Sequence, residues 1–420
     1  MSLTYRITGA RQVTGEIRCL GAKNFATKAM VAALLGSTPT ILTNVPEIGD
    51  VEITLELLRS LGVSSERRGS LLRLDPAALR GRSEHVVGTP HSGLNRIPIL
   101  LLAALLHSGS RVHVPLLGGC RIGARRVDYH LEALRAFGAS VDETASGFEA
   151  RADGRLHGTT IALPYPSVGA TETCLYAAVL AEGRSRIVNA AIEPEILELV
   201  AMLRGMGARI GVSGREIRVQ GVRELRGTGC EILGDRIEAA SWACLACASD
   251  GEILVRGVRP ETLRSFLTRF VQVGGGVKLE DRDSIRFYRR TPLCAVDLET
   301  DVWPGFSTDW QQPFAVLLCG ASGTSLIHET VYEDRFGYLA ALARLGASVE
   351  LTDRCLGPGD CRFRDAGHAH GAILRGPAKL VAVPELAIPD LRAGLAYVIA
   401  AAIADGTTTL SGVESLERGY

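Results

Sequence analysis

At 420 residues the chain is longer than one hydrophobic core ordinarily serves and calls for two domains of about 200 residues each, with room for a cleft between them. Lysine plus arginine and aspartate plus glutamate balance at 46 each, which excludes an overall field drawing the protein to nucleic acid or an anionic membrane, so any anion site is local. The N-terminal "MSLTYRITGARQVTGE" has no apolar run behind its charges, and stretches such as "IPILLLAALL" fall well short of the ~18 residues that span a bilayer. A soluble cytoplasmic protein is expected. Ten cysteines at irregular spacings read as free thiols, most of them small core residues, and not as a disulfide framework.

Along the chain one unit recurs: an Ala/Leu-rich helix, a polar turn with glycine, then a short β-branched strand. It appears as "MVAALLGSTPTIL", "LLAALLHSGSRVHV", "YAAVLAEGRSRIV", "ACASDGEILV", "LLCGASGTSLI" and "VIAAAIADGTTTL". The turn glycines 36, 109, 183, 251, 323 and 406 are separated by 73, 74, 68, 72 and 83 residues, a regularity that marks an internal repeat. A second helix ending in glycine follows within the units, as in "LELLRSLGVS", "LEALRAFGAS" and "LAALARLGAS". Each unit therefore reads strand, helix, strand, helix, strands. The fold class is α/β, with three units around a shared core in each of two similar halves.

The sixth unit reaches only "LSGVESLERGY", where the second helix is due, so the final unit is either cut short or closed differently. The long last step comes from "DRCLGPGDCRFRDAGHAHG", residues 353 to 371, which reads as a surface loop. Its Cys355, Cys361, His368 and His370 match no common zinc spacing, in which cysteines are usually paired two to four residues apart, so no metal is expected.

Candidates for chemistry lie near the starts of the repeated helices, where free backbone N–H groups favour anions. They are Lys23 and Asn24 in "LGAKNFATKAM", Arg96 in "SGLNRIPILLL", Ser167 in "PSVGATET" and Asp309 in "FSTDWQQPF". A symmetrical fold would gather them around the cleft; an ordinary solvated position is the alternative for each. In "GGCRIGARRVD", residues 118 to 128, Arg121, Arg125 and Arg126 would lower the Cys120 thiol pKa if their heads converge on it. A bland exposed loop cysteine is the competing reading.

Together with "GAKN" at 21 to 24, "SVGAT" at 167 to 171, "DRIE" at 235 to 238, "STDWQ" at 307 to 311, "EDRF" at 333 to 336, "DLRAG" at 390 to 394 and "RGY" at 418 to 420, this segment carries a resemblance. The chain resembles the enolpyruvyl transferases, in particular their sugar-nucleotide branch, from about residue 5 onward. The resemblance implies a two-domain inside-out α/β barrel of six βαβαββ units. Residues 22 to 233 would form one domain, carrying a mobile cysteine loop, and 1 to 21 with 234 to 420 the other.

It also implies a reaction. The enolpyruvyl group of phosphoenolpyruvate passes to a sugar hydroxyl of a uridine nucleotide, most closely the 3-hydroxyl of UDP-N-acetylglucosamine in peptidoglycan precursor synthesis, and phosphate leaves. No cofactor, metal or nucleic acid takes part. In this reading Cys120 is the general acid on a closing loop and Asp309 the hydroxyl base. Lys23, Arg125 and Arg418 hold the phosphate; Arg335 and Arg392 grip the carboxylate, for which a planar guanidinium fork is suited. Asn24, Arg96, Arg125, Arg126, Val127, Asp128, Tyr129, Tyr165, Ser167, Val168, Gly169, Asp309 and Val331 face the nucleotide acceptor, and Glu333 and Asp390 complete the polar lining. Five cations repel until anions enter, so an open form that closes on its ligands is expected.

Three positions depart from the family. Tyr165 and Gly49 stand where lysines are common, and Arg126 where proline is. A different uridine nucleotide such as UMP, as in nucleoside-antibiotic pathways, is therefore the alternative acceptor. A silent nucleotide-binding paralogue has no use for an acid and a base together, and Cys120, Asp309 and Lys23 are all present. The cysteine loop argues against a shikimate-type acceptor, and with the neutral charge balance against a cyclase acting on RNA ends. Replacing the thiol is the direct check: Cys120→Ser should lose covalent capture of phosphoenolpyruvate and most turnover, read by intact-protein mass and phosphate release.

Overall fold

The computed structural model describes residues 3–9, 12–88, 92–118, 127–357 and 361–419. Cys120, Arg125, Arg126 and Tyr420 lie outside the described residues. The described residues form two compact units, one of residues 21–118 and 127–233, the other of 3–20 and 234–419.

The first unit holds helices α1 (Lys23–Ala33), α2 (Gly49–Ser60), α3 (Ile97–Leu105), α4 (Asp128–Ala136), α5 (Val168–Val179) and α6 (Pro194–Gly205). Helices α1, α3 and α5 are the Ala/Leu-rich ones. All nine residues of α3 are buried, as a helix apolar on every side requires. Helices α2, α4 and α6 bury one face and carry charges on the other. The glycines that end α2 and α4, Gly62 and Gly138, take φ of 83° and 95°, the left-handed conformation that closes a helix without a Cβ penalty.

Three four-stranded sheets surround these helices, and all follow one pattern. In the middle repeat Glu84–Val86 pairs in parallel with Arg111–Pro115 across α3, and Arg111–Pro115 then pairs antiparallel with Gly147–Arg151, which pairs with Ser140–Thr144. Alternate residues of Arg111–Pro115 are buried, so one face lies on the helices. The first repeat takes its parallel strand from the far end of the unit: Gly229–Glu231 lies beside Thr40–Thr43.

The second unit repeats the plan with α7 (Arg236–Ala248), α8 (Arg264–Gln272), α9 (Gln311–Cys319), α10 (Leu339–Arg344), α11 (Leu391–Ile403) and α12 (Glu414–Glu417). Helices α7, α9 and α11 pack on one another. Asp235 caps α7 by accepting from the N–H groups of Ile237 and Glu238, and Glu238 accepts from the Leu20 N–H at 2.9 Å, so "DRIE" ties the N-terminal segment to this helix. Phe266, Phe306, Trp310 and Phe314 form an aromatic cluster with ring centroids 5.5–6.5 Å apart.

The sixth repeat closes differently, one of the two outcomes its sequence leaves open. A short helix, α12, does occupy the place of the second helix, and the antiparallel strand that should follow is supplied by Thr4–Thr8, which pairs with Thr407–Ser411. Thr14–Arg18 likewise completes the sheet of Glu252–Arg256. The described part of residues 353–370 contains neither helix nor strand, as its composition predicts. No described helix is long and apolar enough to cross a membrane. Cys174, Cys247 and Cys319 are core residues whose thiols burial pushes up to about 12, and no disulfide occurs among the described cysteines.

Glu172, fully buried in α5, has its carboxyl pushed up to about 7 by burial, against the opposing charge of Lys28. A carboxyl whose folded pKa is raised contributes stability that is complete below its unfolded value of 4.5 and is lost as pH climbs through about 7. The thermal midpoint should therefore fall as pH rises from about 5 to about 8, and Glu172→Gln should flatten that part of the profile.

Candidate functional site

In each unit several of the candidate residues take the same place in the repeat, the start of a buried helix. Lys23 is the first residue of α1, and its Nζ lies 2.9 Å from Asp50 Oδ2 at the first turn of α2. Both side chains are largely buried, so the ammonium is held by one carboxylate in a setting of reduced dielectric. Asn24 follows it, half-buried.

Arg96 is the N-cap of α3. Ser167 caps α5, its Oγ accepting from the Ala170 N–H at 3.3 Å, and Val168 and Gly169 form the first turn. Tyr165 stands two residues earlier, its carbonyl accepting from the Ser167 N–H at 2.7 Å. Val127, Asp128 and Tyr129 begin α4, which packs on α5. The link is His130. Its Nδ1 bonds Thr173 Oγ1 at 2.8 Å, and a Cβ on Gly169 would fall 2.8 Å from its Cε1, so α5 approaches this closely only because residue 169 is glycine. Burial, with the Arg96 charge added, pushes His130 down to about 3, so the ring is neutral. Arg96 and the ends of α4 and α5 thus form one neighbourhood of N–H groups and positive charge, a setting for phosphate oxygens.

In the second unit Asp309 sits on a 3-10 turn, Thr308–Trp310, that leads into α9; Ser307 caps it by accepting from the Asp309 N–H at 3.3 Å. One Asp309 oxygen pairs with Arg335 Nη2, and the other lies 3.4 Å from Arg392 Nη2. Both arginines are about 95% buried, with 5% and 6% of their surface exposed. The Gln312 carbonyl oxygen, with its amide oriented to satisfy both ends, accepts from Arg335 Nε at 2.8 Å, and the Tyr332 ring lies 5.7 Å from the guanidinium carbon. Asp390 caps α11 by accepting from the N–H groups of Arg392 and Ala393, which fixes the backbone from which Arg392 extends. Arg418 ends α12. A Cβ on Gly394 of α11 would fall 2.7 Å from Leu416 Cδ2, so "DLRAG" ends in glycine where α12 rests on it.

The residue that organises this half bears no motif in the sequence. Glu329 is buried and accepts from Thr308 Oγ1 at 2.8 Å, from Gln311 Nε2, and from the N–H groups of Val331 and Tyr332 at 2.6 and 2.8 Å. It therefore binds the turn carrying Asp309 to the segment carrying Val331, Glu333 and Arg335. Burial raises its carboxyl pKa, while the donors and the Arg335 charge oppose the shift. Glu329 stands just outside the "EDRF" motif, and Asp50 directly follows Gly49, where the family's usual lysine is missing.

The chain matches the family model described as EPSP synthase (3-phosphoshikimate 1-carboxyvinyltransferase) over residues 7–420. It is 44% identical to the UDP-N-acetylglucosamine 1-carboxyvinyltransferase of Protochlamydia amoebophila (strain UWE25), covering 99% of this chain and 90% of that protein. The protein of the same description from Gluconobacter oxydans (strain 621H) is 39% identical, with 99% and 94% covered. Among solved structures, the enolpyruvyl transferase NikO from Streptomyces tendae matches with a TM-score of 0.87 at 23% identity, over 100% of this chain and 95% of that one. An EPSP synthase from Acinetobacter baumannii matches with a TM-score of 0.70 at 17% identity, over 99% and 95%. Both structures share the two-domain inside-out α/β fold, now shown for this chain.

Glu329→Gln turns an acceptor-only group into one whose NH2 must face N–H donors. It should cost about 1–3 kcal/mol of stability, measured as a lowered urea midpoint.

Proposed function

The chain belongs to the EPSP synthase (3-phosphoshikimate 1-carboxyvinyltransferase) family, and on that premise we propose that it transfers the enolpyruvyl group of phosphoenolpyruvate to the 3-hydroxyl of UDP-N-acetylglucosamine, supplying peptidoglycan precursor. It is an enolpyruvyl transferase. The observation that carries the site assignment is the pairing of two buried guanidiniums, Arg335 and Arg392, on the one carboxylate of Asp309. Two buried cations need a counter-charge, and a substrate carboxylate is of the same kind as the group that now satisfies them.

In this reading the carboxylate of phosphoenolpyruvate takes over Arg335 and Arg392 and frees Asp309 to accept the acceptor's hydroxyl proton. Lys23, with Arg125 and Arg418, holds the phosphate. The hydroxyl oxygen bonds to C2 while Cys120 gives its proton to C3. The tetrahedral adduct then loses a C3 proton and expels phosphate, which restores the double bond. Arg96, Arg126, Val127, Asp128, Tyr129, Tyr165, Ser167, Val168 and Gly169 receive the nucleotide, with Asn24 and Val331 beside the sugar. The helix ends near Arg96 favour the diphosphate. Residues 22–233, with the cysteine loop, and 1–21 with 234–420 serve as the two domains.

The purified chain with phosphoenolpyruvate should release phosphate when given UDP-N-acetylglucosamine and not when given UMP. The reverse pattern would move the acceptor to the mononucleotide, and silence with both would count against transfer. Asp309→Asn should lower turnover by at least about a hundredfold while nucleotide binding, followed by calorimetry, stays nearly intact.

A further inference from the structure

A second cluster of reactive side chains lies in the same unit as Asp309 and includes none of the residues assigned to transfer. We propose that His328, Cys355, Cys361 and His370 hold a zinc ion in a closed tetrahedral site that ties the 353–371 insertion to the sheet beneath it. One ligand atom from each of the four lies within 4.8 Å of all the others. Zinc bonds of about 2.3 Å to sulfur and about 2.0–2.1 Å to nitrogen set ligands roughly 3.3–3.8 Å apart. Cys355 Sγ and His370 Nε2 are already 3.4 Å apart, so closure needs a contraction of about one ångström elsewhere.

Two ligands come from a rigid base. His328 ends the strand Gly323–His328, and Gly371, the residue after His370, lies directly opposite it in the antiparallel ladder with Gly371–Gly376. The two imidazoles stand with ring centroids 5.5 Å apart. Cys355 and Cys361 reach them from the insertion. The expectation of a metal-free loop rested on spacing within that segment, and the fourth ligand is His328, on the neighbouring strand, not His368.

The hydrogen bonds set both rings as ligands. His370 Nδ1 lies 3.0 Å from the His368 carbonyl, which only accepts, so Nδ1 carries the proton and Nε2 offers its lone pair toward Cys355. His328 Nδ1 lies 2.9 Å from Glu299 Oε2, again an acceptor. The Gly357 N–H approaches the same Nδ1 at 3.2 Å; the shorter, charge-assisted contact decides the tautomer. His328 Nε2 is then a buried lone pair with no hydrogen-bond partner among the described residues, an arrangement that costs free energy unless something coordinates it. A carboxylate behind a ligating imidazole is the usual second contact at zinc.

The backbone agrees. A Cβ on Gly357 would fall 1.4 Å from Glu299 Oε2, so the insertion can press on the Glu299–His328 pair only with glycine there. Cys361 Sγ accepts from the Phe363 N–H at 3.4 Å, and the buried Phe363 ring lies 6.1 Å from that of His370, walling the site with an apolar face. Two thiolates and two imidazoles suit zinc over harder cations, and four protein ligands leave no open position for catalysis. The site would act by position. Arg362, beside Cys361, donates to the Val331 carbonyl and lies 3.8 Å from Glu333, so an anchored insertion steadies the segment leading to Arg335.

Metal content tests this independently of turnover. The full chain, purified under reducing conditions, should carry one zinc by plasma mass spectrometry, retain it in His368→Ala and lose it in the double variant Cys355→Ser with Cys361→Ser. Because that variant could fail to fold, the native chain stripped with a chelator is also titrated with Co2+. The visible spectrum of tetrahedral cobalt with thiolate charge transfer should appear at one equivalent and vanish on adding Zn2+. A chain that carries no zinc and gives no such spectrum, or one whose two cysteines are joined to each other under the same conditions, would overturn the site. So would zinc retained by a folded double variant.

Discussion

An α-helix buried on every side can present polar chemistry only at its ends, and this constraint places most of the candidate residues in both units. Helices α3, α5, α7, α9 and α11 have so few exposed positions that a charge along their length would be desolvated without compensation. Their first turns carry unpaired N–H groups and the positive end of the helix dipole. Ser167, Asp309 and Asp390, whose side-chain oxygens accept, stand there because the fold offers no other internal position with donors to spare, and Arg96, which can only donate, caps α3 without a side-chain bond to it. Glu172 is the exception that measures the rule: placed one turn further into α5, it is driven to about 7 by burial.

Where the helix ends do bring charges inside, opposite charges accompany them. Lys23 is matched by Asp50, and Arg335 and Arg392 share Asp309. Breaking a buried pair by removing one partner is costly because the other is left uncompensated, whereas exchanging one carboxylate for another changes little. Cations arranged in this way are held rigidly in place yet remain exchangeable toward an incoming anion. Rigidity of this kind depends on Glu329, which joins the Asp309 turn to the Arg335 segment through donors on both.

Much of this was legible in the sequence because it depends on local pattern. Apolar helices followed by glycine and a β-branched strand announced the repeat, and Gly62 and Gly138 close their helices where the sequence placed them. Helix-start residues were legible for the same reason. What escaped involves contacts between distant segments. Glu329 reads as an ordinary acidic residue after a strand until its four donors are seen, and Asp50 gives no sign in the sequence that it meets Lys23. The sixth repeat looked unfinished because its second helix, α12, is only four residues long, and its antiparallel strand, Thr4–Thr8, lies at the other end of the chain. Cys120, Arg125 and Arg126 were legible only as a motif, and they fall outside the described residues.

Antiparallel pairing explains why an insertion at residues 353–371 is tolerated where it is. It falls between Ser348–Thr352 and Gly371–Gly376, two strands that pair antiparallel through Thr352 and Gly371, so the sheet closes whatever the length between them. A long excursion of this kind would ordinarily add only mobile surface. Here its Arg362 reaches the carbonyl of Val331, and its Gly357 backbone packs against the Glu299–His328 pair, so part of it is bound to the sheet and to the segment that leads to Arg335. A loop anchored at both points restricts the same backbone ahead of Arg335 that Glu329 holds through the Val331 and Tyr332 N–H groups, so the segment leading to that guanidinium is fixed by two independent sets of contacts.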